Sequence, residues 1–102
     1  MFVPVKLTAS AIEMVRSIME EKEIPSDYSL RIGIRQGSGC AGVNYILGFD
    51  HAREGDQQFN LEGIPVVIEK KQTMFLVGMT VDWVTEDGQQ GFTFIKEKKV
   101  NS

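Results

Sequence analysis

The sequence predicts a mainly β, α+β fold: a single domain in which one N-terminal helix packs on a set of short strands. Residues 9–22 repeat apolar side chains at helical spacing, and six or seven short β-prone segments follow at the spacing of hairpins. The chain has 102 residues, of which 42% are hydrophobic, and this suits one domain with one core. We therefore expect residues 1–102 to form one domain, with residues 95–102 as a frayed, charged tail.

The N-terminal part of the chain predicts an edge strand followed by the helix. Residues 2–7 are β-prone, but Pro4 cannot donate a ladder hydrogen bond, so an edge position is expected. Thr8 is a preferred helix N-cap residue, and the helix is predicted over residues 9–22. Its isoleucine and methionine side chains form the face that we expect to pack on the core. Pro25 and the polar residues after it end the segment as a turn.

The remainder of the chain predicts short strands joined by turns. Alternation of apolar with polar or small residues predicts a strand over residues 30–35, and a second strand is predicted over residues 43–49, beyond a glycine-rich stretch. Residues 50–57 are polar and predict a loop. The further predicted elements are a short strand over 58–61, a turn at Glu62-Gly63, strands over 64–68 and 79–85, a helical turn over 70–77 closed by Gly78, a hairpin turn at Asp87-Gly88 and a last strand over 91–95.

Composition and charge exclude several classes of function. The net charge of -3 gives no reason to expect nucleic-acid binding, which usually shows as a basic patch or a high pI. No apolar run approaches the roughly 20 residues that a membrane span needs, and the N-terminus lacks a signal-peptide pattern. A single cysteine cannot form an internal disulfide, so nothing argues for secretion. We expect a cytoplasmic protein that binds neither nucleic acid nor membrane.

The glycine-rich stretch contains the only cysteine of the chain, Cys40. Gly37, Gly39 and Gly42 lie close to it, and the two flanking segments are predicted strands, so the thiol is expected in the loop of a hairpin. Glycines permit positive φ and leave space for another group to approach. A thiol in such a loop favours a functional role, whereas a free cysteine can also be a small buried apolar residue. The local sequence leaves both interpretations open.

Two other kinds of site are disfavoured. Gly37-Ser38-Gly39 suggests a phosphate loop, but such a loop opens a helix, and the residues that follow here are β-branched and aromatic. Thiol catalysis would need a base near Cys40, and His51 is the only histidine. A strand of about seven residues spans roughly 20 Å, which places His51 at the far end from the loop. His51 is expected to be a solvated loop residue and is only a second candidate for metal binding.

Two remaining features are assigned structural roles. Asp82 and Trp83 lie on a predicted strand close to a loop, and Trp83 is expected in the core rather than in a site. Lys96, Lys98 and Lys99 form a small basic cluster, which we interpret as a solvated tail.

The order of elements and motifs points to a known family. The motifs are Leu7-Thr8-Ala9-Ser10-Ala11 at the helix start, Gly37-Ser38-Gly39-Cys40-Ala41-Gly42 with Tyr45, Gly78-Met79-Thr80-Val81-Asp82-Trp83, and Gly91-Phe92-Thr93-Phe94. In this order, over residues 5–95, they resemble the HesB/IscA family of A-type iron–sulfur cluster scaffold and carrier proteins. The resemblance implies a compact HesB-like β-sandwich of short strands with one helix packed on it, no enzymatic activity, and a possible homodimer. It also implies that Cys40 is the cofactor-binding and metal-binding residue.

The chain departs from the family's pattern after Phe94. The family carries a Cys-Gly-Cys pair near its C-terminus, shortly after an Asn-Pro, and residues 95–102 contain neither. The resemblance therefore assigns no residue of this chain as a second or third ligand. The sequence is compatible both with a naturally shortened member of the family and with an omitted tail. An iron–sulfur cluster is usually held by four thiolates, and a symmetric dimer would supply two Cys40 side chains. The other ligands would come from a small thiol, a client protein or oxygen donors.

Two functions are compatible with this ligand count. The first is an iron–sulfur cluster assembly protein that binds iron or a cluster weakly through Cys40, shared across an oligomer or with a client. Its partners would be iron–sulfur assembly or client proteins. The second is a degenerate HesB-like interaction or structural module that no longer binds metal and docks to a partner through its glycine loop and strand edges.

Overall fold

The computed structural model of the chain describes residues 3–36 and 43–96. Cys40, with the rest of the glycine-rich stretch 37–42, and residues 97–102 lie outside the described residues. The elements are β1 (Val5–Leu7), α1 (Ala9–Glu21), β2 (Ser29–Gln36), β3 (Val43–Asp50), β4 (Asp56–Leu61), β5 (Ile64–Glu69), a single 3₁₀ turn (Lys70–Gln72), α2 (Thr73–Leu76), β6 (Met79–Glu86) and β7 (Gln89–Lys96).

Among the residues described, the strands form two sheets, with the 13-residue helix α1 and the four-residue helix α2 beside them. The three-stranded sheet has the order β1-β6-β7, and the four-stranded sheet has the order β3-β2-β5-β4. β1 runs parallel to β6, and β2 runs parallel to β5, while the other neighbours are antiparallel. The predicted β-rich sandwich with one N-terminal helix is confirmed. Within the described ranges, neither helix is long and apolar enough to cross a membrane.

The helix start and its neighbour β1 follow the prediction closely. Among the described strands, β1 pairs with β6 alone and so lies at the edge of its sheet, directly after Pro4. Thr8 caps α1, because its Oγ1 accepts a hydrogen bond from the backbone N–H of Ala11 at 3.1 Å. The helix buries its apolar face through Ala11, Ile12 and Val15.

The core is built from the helix and from both sheets. Apolar side chains at alternate positions of the strands point inward, as the period of a strand requires. The buried residues of this cluster are Val5, Ala11, Ile12, Val15, Leu30, Ile32, Phe59, Ile64, Val66, Ile68, Leu76, Met79 and Val81. Because β1, β2, β4, β5 and β6 all contribute to one cluster, the two sheets and the helix share a single core.

Two hairpin turns were predicted from their sequences and are confirmed. Glu62 and Gly63 have φ of 52° and 90°, and they join β4 to β5 as a two-residue loop. Asp87 and Gly88 have φ of 51° and 78°, and they join β6 to β7 in the same way. Positive φ at both central residues is the geometry that matches the twist of paired strands.

Three predictions need correction. β7 spans Gln89–Lys96 and exceeds the predicted strand 91–95 at both ends, so Ile95 and Lys96, the first residues of the predicted frayed stretch 95–102, are strand residues paired with Thr80 and Met79. The predicted loop over 50–57 is shorter, because β3 ends at Asp50 and β4 begins at Asp56. Trp83 is half-buried and lies outside the core cluster; its ring packs edge-on against Phe92, with centroids 4.9 Å apart.

Candidate functional site

The strands on either side of Cys40 end side by side. β2 and β3 are antiparallel over their whole length, and their last described residues, Gln36 and Val43, are register partners. Cys40 follows Gln36 by four residues and precedes Val43 by three. We call this edge of the four-stranded sheet the hairpin end. The predicted pairing of the two strands is confirmed, whereas Cys40 itself lies outside the described residues.

A side chain from a distant segment holds β2 close to the hairpin end. The register pairs of β2 with β5 are Leu30 with Val66 and Arg31 with Val67. Further along β2, Ile34 is bonded through both of its backbone groups to the side-chain amide of Gln72. The Ile34 N–H donates to Gln72 Oε1 at 3.0 Å, and Gln72 Nε2 donates to the Ile34 carbonyl at 3.3 Å. The amide thus takes the place of a neighbouring strand.

Gly33 makes the approach of Gln72 possible. A Cβ at position 33 would lie 2.7 Å from Gln72 Oε1, closer than side chains tolerate. The 3₁₀ turn that carries Gln72 can therefore lie directly against β2. This packing places α2, which follows immediately, beside the hairpin end.

The last strand, β7, reaches the same region. Tyr45 on β3 stacks on Phe94 of β7, with ring centroids 5.2 Å apart and planes 25° from parallel. Two residues later, Lys96 Nζ donates a hydrogen bond to the backbone carbonyl of Phe75 in α2, at 3.0 Å. Three segments therefore meet at the hairpin end: the paired ends of β2 and β3, the segment 70–77, and the end of β7.

Exposed apolar side chains also lie on the segment 70–77. Within residues 3–36 and 43–96, the large hydrophobic residues that are exposed are Met74, Phe75, Val77 and Ile95. Three of them belong to the segment 70–77, and we call Met74, Phe75 and Val77 the apolar patch. Ile95 lies on β7 between Phe94 and Lys96, so its side chain points to the opposite face of the sheet from theirs.

His51 lies at the opposite end of β3. Asp50, the residue before it, is paired with Ser29, at the other end of the β2–β3 ladder from Gln36 and Val43. The eight residues of β3 span roughly 26 Å at about 3.3 Å per residue. The imidazole Nε2 is 3.0 Å from Asp27 Oδ2, and the ring packs on Tyr28. The predicted distance of His51 from the hairpin end is confirmed, and so is its exposed position.

The part of the chain that the structure describes contains no cluster of side chains suited to a metal ion. There, no three side chains of His, Cys, Asp or Glu come together in a group that could hold a metal ion. His51 has one carboxylate beside it, that of Asp27, in an exposed pair.

A salt-bridge cluster centred on Arg31 holds the connection from β3 to β4. The guanidinium donates to both oxygens of Asp56, at 3.0 and 2.6 Å, and to Asp50 Oδ2 at 3.2 Å. The hydrogen bonds from Arg31 hold the pKa of Asp56 below its usual value. The pKa of Asp50 is also lowered, first by the backbone N–H of His51 and then by Arg53 and Arg31. This cluster was not predicted from the sequence.

Two of the motif fragments meet in a hydrogen-bond network at the start of α1. The hydroxyl of Thr8 donates to Asp82 Oδ1 at 2.6 Å, and the backbone N–H of Trp83 donates to the same oxygen at 2.9 Å. The backbone N–H of Thr8 also donates to the Val81 carbonyl at 3.0 Å. Asp82 therefore fixes the start of the helix on β6, and its role in the described residues is structural.

Comparison with known proteins relates nearly the whole chain to one family. A family model described as iron-sulphur cluster biosynthesis matches residues 3–99. The iron–sulfur cluster insertion protein ErpA of Marinobacter nauticus is 33% identical over 96 residues, which cover 93% of this chain and 84% of that protein. The iron-binding protein IscA of Enterobacter sp. (strain 638) is 38% identical over 91 residues, 88% of this chain and 82% of that protein.

Solved structures show the same fold. Escherichia coli SufA, described as involved in biosynthesis of iron–sulfur clusters, superposes with a TM-score of 0.77 at 28% identity, over 99% of this chain and 89% of that one. A structure of IscA with a [2Fe–2S] cluster superposes with a TM-score of 0.71 at 22% identity, over 90% of this chain and 81% of that one.

Proposed function

Because this chain belongs to the iron–sulphur cluster biosynthesis family, we propose that it is an A-type scaffold or carrier that takes part in iron–sulfur cluster assembly. The single observation that carries this function is the family match over residues 3–99, which spans both sheets, the helix and the cysteine hairpin. The likeness to cluster insertion and iron-binding proteins at 33% and 38% identity supports the same function. Iron, or an iron–sulfur cluster, is then the cargo of the protein.

Cys40 is the proposed ligand. It is the only thiol in the sequence, and thiolates are the protein ligands that iron–sulfur clusters use. In the sequence it lies between two strands whose ends are register partners; Gln72 anchors β2 to the 3₁₀ turn before α2, and Tyr45 anchors β3 to β7. Anchored strands on both sides of the glycine-rich stretch suit a cluster ligand that a second protein has to reach.

The ligand count favours a shared site. One chain of this sequence offers one thiolate, whereas a cluster usually takes four. The remaining ligands come from Cys40 of a second copy in a homodimer, from a client protein or from a small thiol. Such a site binds its cargo weakly and releases it readily, which is the behaviour required of a carrier.

The remaining features of the proposal follow from this role. The protein carries its cargo without catalysing a reaction, acts in the cytoplasm, and has iron–sulfur assembly or client proteins as partners. The single core shared by both sheets supports the proposal that residues 1–102 form one HesB-like domain.

Anaerobic reconstitution with iron and sulfide tests the role of Cys40. The wild type is expected to retain iron after desalting, and Cys40→Ala is expected to retain only background iron. His51→Ala is the matched control, since it removes the other candidate ligand at the far end of β3, and it should retain as much iron as the wild type. If the wild type and Cys40→Ala retain equal amounts of iron after desalting, Cys40 is not a ligand.

A second candidate function rests on the apolar patch. Three exposed hydrophobic side chains on one short segment, Met74, Phe75 and Val77, also suit an interaction module without metal chemistry. In that case, a pull-down with Cys40→Ala returns the same partners as the wild type, and neither protein retains iron.

A further inference from the structure

We propose that a groove between the open edges of the two sheets binds an extended segment of a partner protein, in which an acidic residue lies between two apolar residues. The segment adds a strand to β1, so its backbone supplies hydrogen bonds and its alternate side chains supply specificity. This inference goes beyond the proposed function and needs neither iron nor Cys40. It rests on the position of the groove, the backbone groups along it, its apolar floor and the charge of Lys6.

The groove lies between β1 and the end of β4. Both are edge strands, because among the described strands β1 is bonded to β6 alone and β4 to β5 alone. One wall is formed by the residues of β1, and the other by Asn60 and Leu61 of β4. The volume of about 470 Å³ is within the range of sites that bind ligands.

The groove follows the edge of β1 rather than one of its faces. Val5, Lys6 and Leu7 all line it, although successive side chains of a strand point to opposite faces. No residue of β6, a strand that the structure describes in full, lines it. The groove therefore lies along the side of β1 that faces away from β6, which is the position that an added strand occupies.

The free edge of β1 presents backbone groups that can pair. The carbonyl of Pro4 and the N–H of Thr8 are both bonded, at 3.0 Å, to the backbone of β6 or of the residue before it. Since the direction of the backbone groups alternates along a strand, those of Val5 and Leu7 point away from β6 and toward the groove. Each of these two residues offers one N–H and one carbonyl to an added strand.

The floor of the groove is apolar. Val3, Leu7 and Leu61 are half-buried and pack against the core, and the buried Ile12 of α1 completes the lining. Residues of an added strand that are paired with Val5 and Leu7 point to the same face as these two side chains. Apolar residues at those positions cover the floor and are themselves removed from water.

The middle residue of β1 selects the charge of the segment. The side chain of Lys6 is exposed, on the face opposite to Val5 and Leu7, and no carboxylate lies within 4.0 Å of its amine among the described residues. Opposite charges at paired positions of a sheet stabilise the pair, and like charges destabilise it. The residue of the segment paired with Lys6 is therefore aspartate or glutamate, with an apolar residue on each side.

A second copy of the chain suits this edge less well than such a segment. If two β1 strands paired about a twofold axis through their middle residues, the two Lys6 side chains would face each other. Like charges at directly paired positions oppose that contact. An acidic residue of a different protein removes the repulsion and replaces it with attraction.

The groove also lies away from the cysteine. β5 runs parallel to β2, with Leu30 paired with Val66, so the turn before β5 lies at the end of the four-stranded sheet opposite to the hairpin end. Leu61, which lines the groove, directly precedes that turn. A segment bound in the groove therefore leaves the hairpin end free for the sharing of Cys40 between two copies.

Titration with a peptide, followed by proton–nitrogen correlation NMR spectra, tests the proposal. The probe is the end-capped peptide Gly-Ser-Val-Glu-Val-Ser-Gly, added to the iron-free chain. The amide resonances of Val5 and Leu7 are expected to shift, whereas those of Gln36 and Val43 at the hairpin end should not. Absence of a shift at β1 with about 5 mM peptide overturns the proposal, and so do shifts confined to the hairpin end.

An exchange of charges tests the pairing with Lys6. Lys6→Glu is expected to raise the Kd of the glutamate peptide about fivefold and to prefer the same peptide with lysine in place of glutamate. Lys22→Glu, the same reversal at an exposed position of α1, is the matched control and should change both Kd values by less than about twofold. Lys6 is exposed, so Lys6→Glu should unfold at the same urea concentration as the wild type. An unchanged peptide preference in Lys6→Glu contradicts the proposal.

Methylation of the peptide nitrogens tests the backbone pairing. A peptide with N-methylvaline at both valines keeps its charge and apolar side chains but loses two hydrogen-bond donors, so its Kd should rise about tenfold. Equal binding of the two peptides contradicts the addition of a strand.

Two further measurements separate the possible failures. Cys40→Ala should bind the peptide as the wild type does, whatever its iron retention, and loss of peptide binding in Cys40→Ala would place the peptide at the cysteine and overturn the proposal. If the amide resonances of β1 shift with the concentration of the chain and not with added peptide, the groove is a contact between copies and the proposal is wrong.

Discussion

The side-chain amide of Gln72 bonds both the N–H and the carbonyl of Ile34, 38 residues away in the sequence. The amide supplies hydrogen-bond partners for the backbone of β2 beyond the residues of β2 that are register partners of β5. The same contact places α2 beside the hairpin end. One amide side chain therefore links the stability of the sheet to the geometry of the candidate site.

Substitution of Gln72 should lower stability more than is usual for a residue in a turn. Gln72→Ala leaves two backbone groups of Ile34 without their partner, so we expect the free energy of unfolding to fall by about 1–3 kcal/mol. Urea denaturation followed by far-UV circular dichroism measures it. Gln90→Ala, at an exposed position next to the β6–β7 turn, is the control and should change stability by less than about 0.5 kcal/mol.

Gly33 and Gln72 should be energetically coupled. An alanine at position 33 would place its Cβ 2.7 Å from Gln72 Oε1 and displace the amide from Ile34. Gly33→Ala should therefore destabilise the wild type but cost little in the Gln72→Ala background, where the obstructing atom is absent. A double-mutant cycle measures this coupling, and additive losses would show that the amide and the glycine act independently.

The Arg31 cluster predicts a specific dependence of stability on pH. Arg31 lowers the pKa of Asp56 in the folded protein, so this carboxylate adds stability above its unfolded pKa, near 3.9. The contribution is lost as the pH falls through the lowered folded pKa. Asp56→Asn should be less stable than the wild type at pH 7, and the difference should shrink below about pH 4.

Urea titrations between pH 7 and pH 3 measure the Asp56 effect. Glu13→Gln is the control, because it removes one carboxylate from an exposed position on α1 that has no salt-bridge partner among the described residues. A difference between wild type and Asp56→Asn that stays constant down to pH 3 would contradict the assignment.

The network at the start of α1 should depend on the hydroxyl of Thr8. This group caps the helix through Ala11 and donates to Asp82, so Thr8→Ala should lower the free energy of unfolding by about 1–3 kcal/mol. Thr8→Ser keeps the hydroxyl and should retain most of the stability. Equal losses for the two variants would assign the effect to packing of the methyl group.

The C-terminal end of α1 offers a stabilising substitution. Glu23 has a φ of 51°, a left-handed conformation that glycine adopts without steric cost. Glu23→Gly should raise the free energy of unfolding by about 1 kcal/mol. Glu23→Ala removes the same charge but keeps a Cβ at that φ, so its gain should be smaller. If both variants gain equally, charge rather than backbone conformation is responsible.

Local features of the fold could be predicted from the sequence because local chemistry determines them. Thr8 is a good N-cap wherever a helix follows, and Asp87-Gly88 adopts positive φ readily at both positions. The parallel pairing of β1 with β6 could not be predicted, since it joins residues more than 70 positions apart. The length of β7 was underestimated because its charged last residue resembles the tail that follows it.

The candidate site was only partly predictable. The glycine-rich stretch identified Cys40, and the alternation around it identified the two strands. The roles of Arg31 and Gln72 depend on contacts with residues far along the chain, and each has the sequence signature of an ordinary polar surface residue. The position of Phe75 beside the end of β7 likewise depends on a long-range contact, the hydrogen bond from Lys96 to the Phe75 carbonyl.

Transfer of a cluster tests the central claim most directly. The chain is loaded anaerobically with iron and sulfide, desalted, and mixed with a metal-free [2Fe–2S] ferredoxin, and visible circular dichroism follows the appearance of the ferredoxin cluster. Wild type is expected to deliver the cluster faster than free iron and sulfide at the same concentrations, and Cys40→Ala is expected to deliver none beyond that background. Identical rates for wild type, Cys40→Ala and free iron with sulfide would contradict a carrier role for this chain.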